Sequence, residues 1–248
     1  MNILITGGAG FIGSHLVEKF LKEKHKVIVV DNFDSFYSTD VKISNVLESI
    51  NKVELKEEIS KLNNDEKFLI ENTKTNNYRL YVEDICNLEK FKEIFKNEKI
   101  EFVINLAALA GVRPSLLRPF DYERVNIRGF LNILELCKEF KIKKLIQASS
   151  SSVYGNAKTD IFTEDIRVDF PISPYAATKK AGEEFGSVYS HLYNIDMIQL
   201  RFFTVYGERQ RPDLAIHKFV KKIENDEEIT IYGDGSTSRD YTYIKDII

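Results

Sequence analysis

The 248-residue chain is 43% hydrophobic and 29% charged, proportions typical of a globular protein with one large α/β domain or one domain and part of a second. Its net charge of −3 gives no reason to expect binding to nucleic acid or a basic membrane-binding patch. Cys86 and Cys137 lie far apart, without a CxxC motif or a Cys/His cluster, so we expect no disulfide framework and no metal site. The first residues lack the basic start and long apolar run of a signal peptide, and no stretch approaches the ~18 apolar residues of a membrane span. We therefore expect a cytoplasmic protein.

Short apolar runs alternate with amphipathic stretches through most of the chain. The predicted strands are 2–6, 26–31, 78–83, 102–108, 143–150 and 196–203. The predicted helices are 11–23, about 87–97, about 119–140 and 174–193. This alternation predicts an α/β fold in which helices cover both faces of a parallel sheet, and such a sheet binds ligands beyond the carboxyl ends of its strands.

Two regions depart from this alternation. Residues 40–77 are polar and rich in Lys, Glu and Asn, and their helical periodicity predicts a solvated helical insertion. From about residue 204 the sequence is rich in loops, with a predicted helix near 214–225 and a predicted strand over 228–233. We therefore predict a cofactor-binding domain over 1–203 and, over 204–248, the start of a smaller substrate-binding lobe that we expect to be incomplete.

A glycine-rich loop follows the first predicted strand directly. In ILITGGAGFIGSHL, Gly7, Gly10 and Gly13 have the spacing that allows a tight turn, close approach of the backbone to a pyrophosphate, and close packing of helix on strand. Asp31 ends the second strand, where a carboxylate accepts hydrogen bonds from ribose hydroxyls and repels a 2′-phosphate. A turn without a ligand would not explain this ordered set, so we predict a Rossmann-type, doubly wound sheet that binds NAD. The further cofactor contacts that we predict here are Phe11, Ile12 and Asn32.

Three tyrosines have a lysine four residues later, and their contexts differ. Gly155 and Asn156 follow Tyr154 and would break a helix, whereas Tyr241 lies in a β-branched, aromatic stretch. In SPYAATKK, Ser173 and Pro174 are suitable residues for a helix start. On the helix that follows them, Tyr175 and Lys179 lie one turn apart on the same face.

The pair Tyr175 and Lys179 suits proton transfer coupled to hydride transfer. A phenol has a pKa of ~10, and an adjacent ammonium or a positive nicotinamide ring favours the phenolate and lowers that pKa. Such a tyrosine can remove a hydroxyl proton while hydride leaves the same carbon. Serines 149–152 lie at the end of a predicted strand and could supply a hydrogen-bonding hydroxyl. An exposed helix pair and a polar serine loop are the alternatives, and the nearby glycine loop disfavours both.

Five motifs together resemble the extended short-chain dehydrogenase/reductases, in particular the nucleotide-sugar 4-epimerases of the UDP-glucuronate and UDP-glucose types. They are the glycine loop, SSSSVYG (149–155), Tyr175-x-x-x-Lys179, LRFFTVYG (200–207) and GDGSTSRDYTYIKDI (233–247). The resemblance covers the chain apart from 40–77. Related 4,6-dehydratases and uronate decarboxylases carry a glutamate where this chain has Ser152, and this departure favours plain epimerisation.

The resemblance also implies roles for individual residues. Ser150 matches the catalytic Ser/Thr, with Ser152 as a second candidate that would contact the substrate. The cofactor contacts that it implies, besides Tyr175 and Lys179, are Asp84, Ile85, Leu106, Ala107, Ala108 and Asn126. The implied diphosphate contacts are Thr204 and Arg239.

The sugar is left open by the sequence. Galactose epimerases often carry a lysine where this chain has Ala110, and Arg113 lies nearby. Arg113 and Arg211 could instead bind a uronate carboxylate, because a guanidinium pairs with a carboxylate through two hydrogen bonds, or each could be a surface arginine.

The reaction that these residues predict is epimerisation at C4 of a UDP-sugar through a transient 4-keto sugar, with NAD as a resident cofactor. Alternatives are a dehydratase, a decarboxylase or a dehydrogenase of the same family, or a non-catalytic NAD-binding regulator. The resemblance also implies nucleotide-sugar metabolism, polysaccharide biosynthesis and a homodimer formed through the helices at 119–140 and 174–193.

Overall fold

A computed structural model describes residues 1–159, 161–231, 233–235 and 238–248 of the chain. Its centre is a six-stranded sheet in the order β3-β2-β1-β4-β5-β6 with every neighbouring pair parallel. The strands are β1 (Asn2–Thr6), β2 (Lys26–Asp31), β3 (Tyr78–Val82), β4 (Phe102–Asn105), β5 (Lys144–Ala148) and β6 (Asp196–Leu200). The predicted parallel sheet is confirmed, although β4, β5 and β6 are shorter than the apolar runs that contain them.

Helices cover both faces of this sheet. In chain order they are α1 (Phe11–Lys22), α2 (Thr39–Ser49), α3 (Lys56–Lys61), α4 (Glu66–Thr73), α5 (Leu88–Glu98), α6 (Val112–Leu117), α7 (Pro119–Tyr122), α8 (Phe130–Glu139), α9 (Pro174–Tyr193), α10 (Ala215–Glu224) and α11 (Ile244–Ile247). The helix predicted over about 119–140 is instead α7 and α8 joined by a π-helical stretch, Glu123–Gly129. Short 3₁₀ turns cover Val53–Leu55 and Ser151–Tyr154.

Alternation along the strands divides the core into two apolar clusters, one on each face. Leu4 and Val30 belong to the cluster that includes Phe91 and Phe130, whereas Ile5 belongs to the other. Because successive strand residues point to opposite faces, a parallel strand covered on both sides is apolar at nearly every position. Because all six strands are parallel, their carboxyl ends lie at one edge of the sheet, where the connecting loops form the site.

The 40–77 region is not the solvated insertion that its composition predicts. Ile43, Val46 and Leu47 of α2, Ile59 of α3 and Leu69 of α4 are buried in the core cluster that contains β1 and β2. Each of these short helices is charged on its outer side, and that charge hides a narrow apolar face in the average composition. The region therefore packs against one face of the sheet.

The segment after β6 contains a second, two-stranded parallel sheet. Its strands are β7 (Thr204–Tyr206) and β8 (Tyr241–Tyr243). The strand predicted over 228–233 is wrong for the described part of that range, 228–231 and 233, which has no strand structure, and Tyr232 lies outside the described residues. The boundary at 203 between two domains stays a prediction. Within the described ranges, no helix has both the length and the apolar character needed to cross a membrane.

Candidate active site

A cavity of about 500 Å³ opens at the carboxyl edge of the sheet. It extends from the glycine loop after β1 to the start of α9 and the segment around β7. The predicted site residues that line it are Gly7, Gly10, Phe11, Ile12, Gly13, Asp31, Asn32, Asp84, Ile85, Leu106, Ala107, Ala108, Ser150, Ser152, Tyr175, Lys179, Thr204 and Arg211. Residues predicted from separate motifs are thus brought into one cavity.

The glycine loop has a geometry that side chains would disrupt. Gly7 has φ +70°, and a Cβ atom there would lie 2.9 Å from the backbone nitrogen of Ala107. A Cβ atom on Gly13 would lie 2.3 Å from the carbonyl oxygen of Gly7, so its absence lets α1 pack on the loop. Gly10 is the N-cap of α1 and supplies no side-chain cap, which leaves the first amide groups of the helix available to an anion. This cradle suits a pyrophosphate.

Asp31 lies buried at the end of β2, and its carboxylate is positioned by three groups. It accepts hydrogen bonds from the backbone amides of Ala9 (3.2 Å) and Phe33 (2.9 Å). The ammonium of Lys42, on α2, lies 3.4 Å from Oδ1, and both side chains are less than a tenth exposed. Reasoning from the sequence missed Lys42, and its polar surroundings contain no signal that separates it from surface lysines.

Other cavity residues from the 32–42 region were also not predicted. Asp34, Phe36 and Tyr37 line the cavity. Burial, followed by the negative charge of Asp31, raises the pKa of Tyr37 far above its ordinary value, so its phenol stays protonated. This loop therefore contributes further side chains to the cavity lining.

Asn126 supports the segment after β4 that forms one wall of the cavity. Its side-chain amide accepts a hydrogen bond from the Leu109 amide at 2.8 Å and donates to the Leu109 carbonyl at 3.0 Å. The same amide donates to the Thr178 hydroxyl at 3.0 Å. Asn126 is buried outside the cavity lining, so it supports the wall whereas Leu106, Ala107 and Ala108 form it.

Helix α9 positions the tyrosine and lysine as its sequence predicts. The Ser173 side chain accepts a hydrogen bond from the Ala176 amide, and Pro174 occupies the first turn. The Lys179 ammonium donates to the Ala148 carbonyl at 2.7 Å and lies 5.9 Å from the centre of the Tyr175 ring. Burial lowers the pKa of Lys179 to about 8.

Tyr175 does not have the lowered pKa that its lysine neighbour suggests. Burial raises its pKa above the ordinary phenol value, and the opposing contributions within the protein come from a hydrogen bond with Ser150 and from the charge of Arg211. The sequence-based expectation that Lys179 lowers this pKa is therefore not met among the groups of the protein itself. The groups of the protein that lower the pKa of Tyr175 are Ser150 and Arg211.

The four serines after β5 are not equivalent. Ser149 donates a hydrogen bond to Glu183 Oε1 at 2.6 Å. Ser150 accepts one from the Ser152 amide at 3.2 Å, which caps the 3₁₀ turn Ser151–Tyr154. Ser150 and Ser152 both line the cavity, and a hydrogen bond with the Ser150 side chain opposes the burial-driven rise in the pKa of Tyr175.

The predicted arginines occupy different environments. Arg211 lines the cavity, where it pairs with Asp213 through two hydrogen bonds of 2.9 and 2.8 Å and stacks 5.5 Å from the centre of the Phe36 ring. Arg113 and Arg239 are both exposed and do not line the cavity. Their predicted contacts with substrate stay predictions.

Comparison with known proteins identifies the class. The model of the NAD dependent epimerase/dehydratase family matches residues 3–248, and the chain belongs to this family. The chain is 45% identical to Protein CapI of Staphylococcus aureus over its full length and 67% of that relative. It is 44% identical to the UDP-glucuronate 4-epimerase of Thermodesulfobacterium geofontis, with 98% of this chain and 68% of that relative covered.

A solved structure with the same fold is the UDP-glucuronic acid 4-epimerase of Bacillus cereus in complex with UDP-glucuronic acid and NAD. It is 37% identical, with a TM-score of 0.82, and the similarity covers 100% of this chain and 70% of that one. The UDP-glucose 4-epimerase of Thermus thermophilus, solved with NAD, is 29% identical with a TM-score of 0.80 over 100% and 72% of the two chains. The resemblance to nucleotide-sugar 4-epimerases is thereby confirmed.

Proposed function

We propose that the protein is an NAD-dependent UDP-sugar 4-epimerase and that its substrate is UDP-glucuronate. The observation that carries this proposal is the convergence of Ser150, Tyr175 and Lys179 on the cavity that also contains the glycine loop. Relatives named as UDP-glucuronate 4-epimerases support the choice of sugar. The cavity also holds Arg211, a guanidinium suited to a uronate carboxylate.

The residues of the cavity suit NAD along its whole length. The free amides at the start of α1 would hold the pyrophosphate, because Gly10 leaves room for it. Asp31 would accept the adenosine ribose hydroxyls, and Asp84 with Ile85 would flank the adenine. Lys179 would reach the nicotinamide ribose from α9. When bound, NAD⁺ supplies a hydride acceptor and donor and a positive charge beside Tyr175.

The side chains then perform the proton chemistry at C4 of the sugar. Tyr175 accepts the proton of the 4-hydroxyl as that carbon is oxidised, and it returns the proton when the 4-keto sugar is reduced on its other face. Ser150 donates a hydrogen bond to the 4-oxygen and keeps it beside the phenol. Arg211 favours the phenolate by its charge. No net oxidation results.

Ser152 supports epimerisation over dehydration or decarboxylation. It lines the cavity with a hydroxyl at the position where the related dehydratases and decarboxylases carry a glutamate. A hydroxyl cannot act as the additional carboxylic acid and base that those reactions use, because its proton does not dissociate near neutral pH. The 4-keto sugar is therefore returned to a 4-hydroxy sugar.

A Tyr175→Phe substitution tests the proposed function. We expect turnover of UDP-glucuronate to fall by roughly 10²- to 10⁴-fold while NAD stays bound, because only the proton acceptor is removed. NMR of the C4 configuration, across a panel of UDP-sugars, measures both the reaction and the sugar preference. Tyr193→Phe, at the far end of α9, is the control and keeps full turnover. Full turnover in Tyr175→Phe would remove the tyrosine from the mechanism.

The homodimer and the cytoplasmic location are further parts of this proposal. Val188 and Leu192 on α9 are 49% and 61% exposed, which suits a helix face that packs against a second copy. Both cysteines are free thiols, as a reducing compartment would keep them.

A further inference from the structure

One face of α9 contacts the end of β5 at three successive turns. Tyr175, Lys179 and Glu183 are spaced four residues apart, so they lie above one another on the same face. Their partners are three consecutive residues, Ala148 at the end of β5 and Ser149 and Ser150 directly after it. Glu183 binds Ser149, Lys179 binds the carbonyl of Ala148, and Tyr175 interacts with Ser150.

Glu183 is a buried charged group of this contact. Its side chain is 8% exposed and pairs with Arg201, the first residue after β6, through hydrogen bonds of 2.9 Å from both Nε and Nη2. The Ser149 hydroxyl donates to the same Oε1 atom that accepts from Arg201 Nε. Arg201 in turn stacks 5.0 Å from the centre of the Tyr154 ring, at the other end of the serine turn.

The proposed chemistry uses neither Glu183 nor Arg201, and a buried ion pair is by itself a weak source of stability, because desolvation offsets much of the attraction. The pair instead contacts the serine segment 149–154 at both ends, through Glu183 at Ser149 and through Arg201 at Tyr154. Ser150 lies between these two attachments and has no side-chain tie of its own to the helix other than Tyr175.

We propose that Glu183 and Arg201 are positioning residues for Ser150. They hold Ser149 and Tyr154, and thereby present the Ser150 hydroxyl to the sugar 4-oxygen beside Tyr175. This inference rests on the proposed function. It assigns the serine run two tasks, with Ser149 as the anchor to α9 and Ser150 as the group that contacts substrate.

The test is a Ser149→Ala substitution, which cuts the anchor and leaves the Glu183–Arg201 pair intact, so that the fold is retained. We expect kcat to fall on the order of 10- to 100-fold, with KM within about twofold, because a shift of the hydrogen-bond donor lowers the rate more than binding. Ser149→Thr keeps a hydroxyl and restores kcat. Ser187→Ala, whose hydroxyl bonds only within α9, is the control with unchanged kinetics.

A double substitution separates positioning from a general structural role. In a Ser150→Ala background, Ser149→Ala has no further effect on kcat if it acts through Ser150, because the group that it positions is already absent. If the two substitutions lower kcat independently, so that their fold-changes multiply, the inference is overturned. An unchanged kcat in Ser149→Ala would overturn it as well.

A titration of Tyr175 decides the inference without any substrate. Loss of the Ser150 contact raises the pKa of the phenol, measured by ultraviolet difference spectra against Tyr175→Phe in each background. We expect this rise in Ser149→Ala, whereas an unchanged titration would contradict the positioning role. Failure of the proposed function would instead appear as an unsubstituted protein that leaves C4 of every UDP-sugar unchanged.

Discussion

At the scale of the residue, burial controls the two ionisable groups of α9. Lys179 loses hydration on burial and donates a hydrogen bond to the Ala148 carbonyl, and burial stabilises Tyr175 in its protonated form. Because the pKa of this buried ammonium lies near neutrality, a charged ligand that enters the cavity can change its protonation state. Motif spacing identifies such residues, but only their surroundings set their pKa values.

Burial of the Lys179 ammonium makes the unfolding free energy depend on pH in the alkaline range. Burial lowers the pKa of Lys179 from 10.5 to about 8, so between these values the unfolded chain binds a proton there that the folded protein does not. The unfolding free energy therefore rises with pH across this window, and below pH 8 the cost of the buried charge is constant. Compared with Lys179→Met in urea titrations without cofactor, the unsubstituted protein gains about 2 kcal/mol between pH 7 and 9.5. A constant difference between the two proteins would contradict the shifted pKa.

We expect Asp31 and Lys42 together to set the preference for NAD over NADP. Asp31→Asn removes the charge that repels a 2′-phosphate and leaves the Lys42 ammonium, 3.4 Å away, without its carboxylate. We expect the preference for NAD over NADP to fall by roughly tenfold or more, measured by calorimetric titration with both cofactors. Adding Lys42→Met to Asp31→Asn removes the ammonium that would attract the 2′-phosphate, so we expect the affinity for NADP to fall again. An unchanged preference in Asp31→Asn would show that the carboxylate does not discriminate.

At the scale of the element, α2 supports the glycine loop as well as the core. Asn45 on its inner face donates a hydrogen bond to the Ala9 carbonyl at 3.0 Å, inside the loop that would hold the pyrophosphate. The neighbouring Lys42 reaches Asp31 from the same helix. The helix thus joins the loop after β1 to the acid at the end of β2.

An Asn45→Ala substitution tests this support. It leaves the buried Ala9 carbonyl without its donor, and we expect the unfolding free energy to fall by about 1–3 kcal/mol and NAD to bind more weakly. Denaturant unfolding and cofactor titration measure the two effects. Ser44→Ala, one position earlier, removes a hydroxyl that bonds only within α2 and has little effect on either. Equal effects of the two substitutions would refute a specific role for Asn45.

At the scale of the whole molecule, Arg209 joins the segment after β6 to helices α1 and α2. It has φ +60°, and its guanidinium pairs with Glu18 of α1 at 2.7 Å and Glu48 of α2 at 3.0 Å. The side chain is only 13% exposed, so solvent screens these pairs less than it screens surface pairs. One side chain therefore ties three parts of the chain together.

We expect Arg209→Gln to loosen this attachment. Amide hydrogen exchange of β7 becomes about 10- to 100-fold faster, whereas exchange in the central strands of the main sheet is unchanged. Arg167→Gln, which breaks an exposed pair with Asp169, is the control and has no such effect. Unchanged exchange of β7 in Arg209→Gln would show that other contacts hold the segment.

The sequence by itself determined the parallel sheet, the glycine loop, the start of α9 and the family, because these depend on periodicity and on short spacings along the chain. Strand ends were less well predicted, since apolar character continues into the loops that line the cavity. The inner face of α2 was missed, because its few apolar residues are outnumbered by polar and charged neighbours.

Only the tertiary structure decided which side chains meet. Ser149 and Glu183 lie 34 residues apart, and Arg209 and Glu18 lie 191 apart, so no local pattern connects them. The same holds for the pKa of Tyr175, which depends on burial and on Ser150 and Arg211, residues from two other segments of the chain. Hydrogen bonds and desolvation act over a few ångströms in space, whereas periodicity reports only neighbours along the chain.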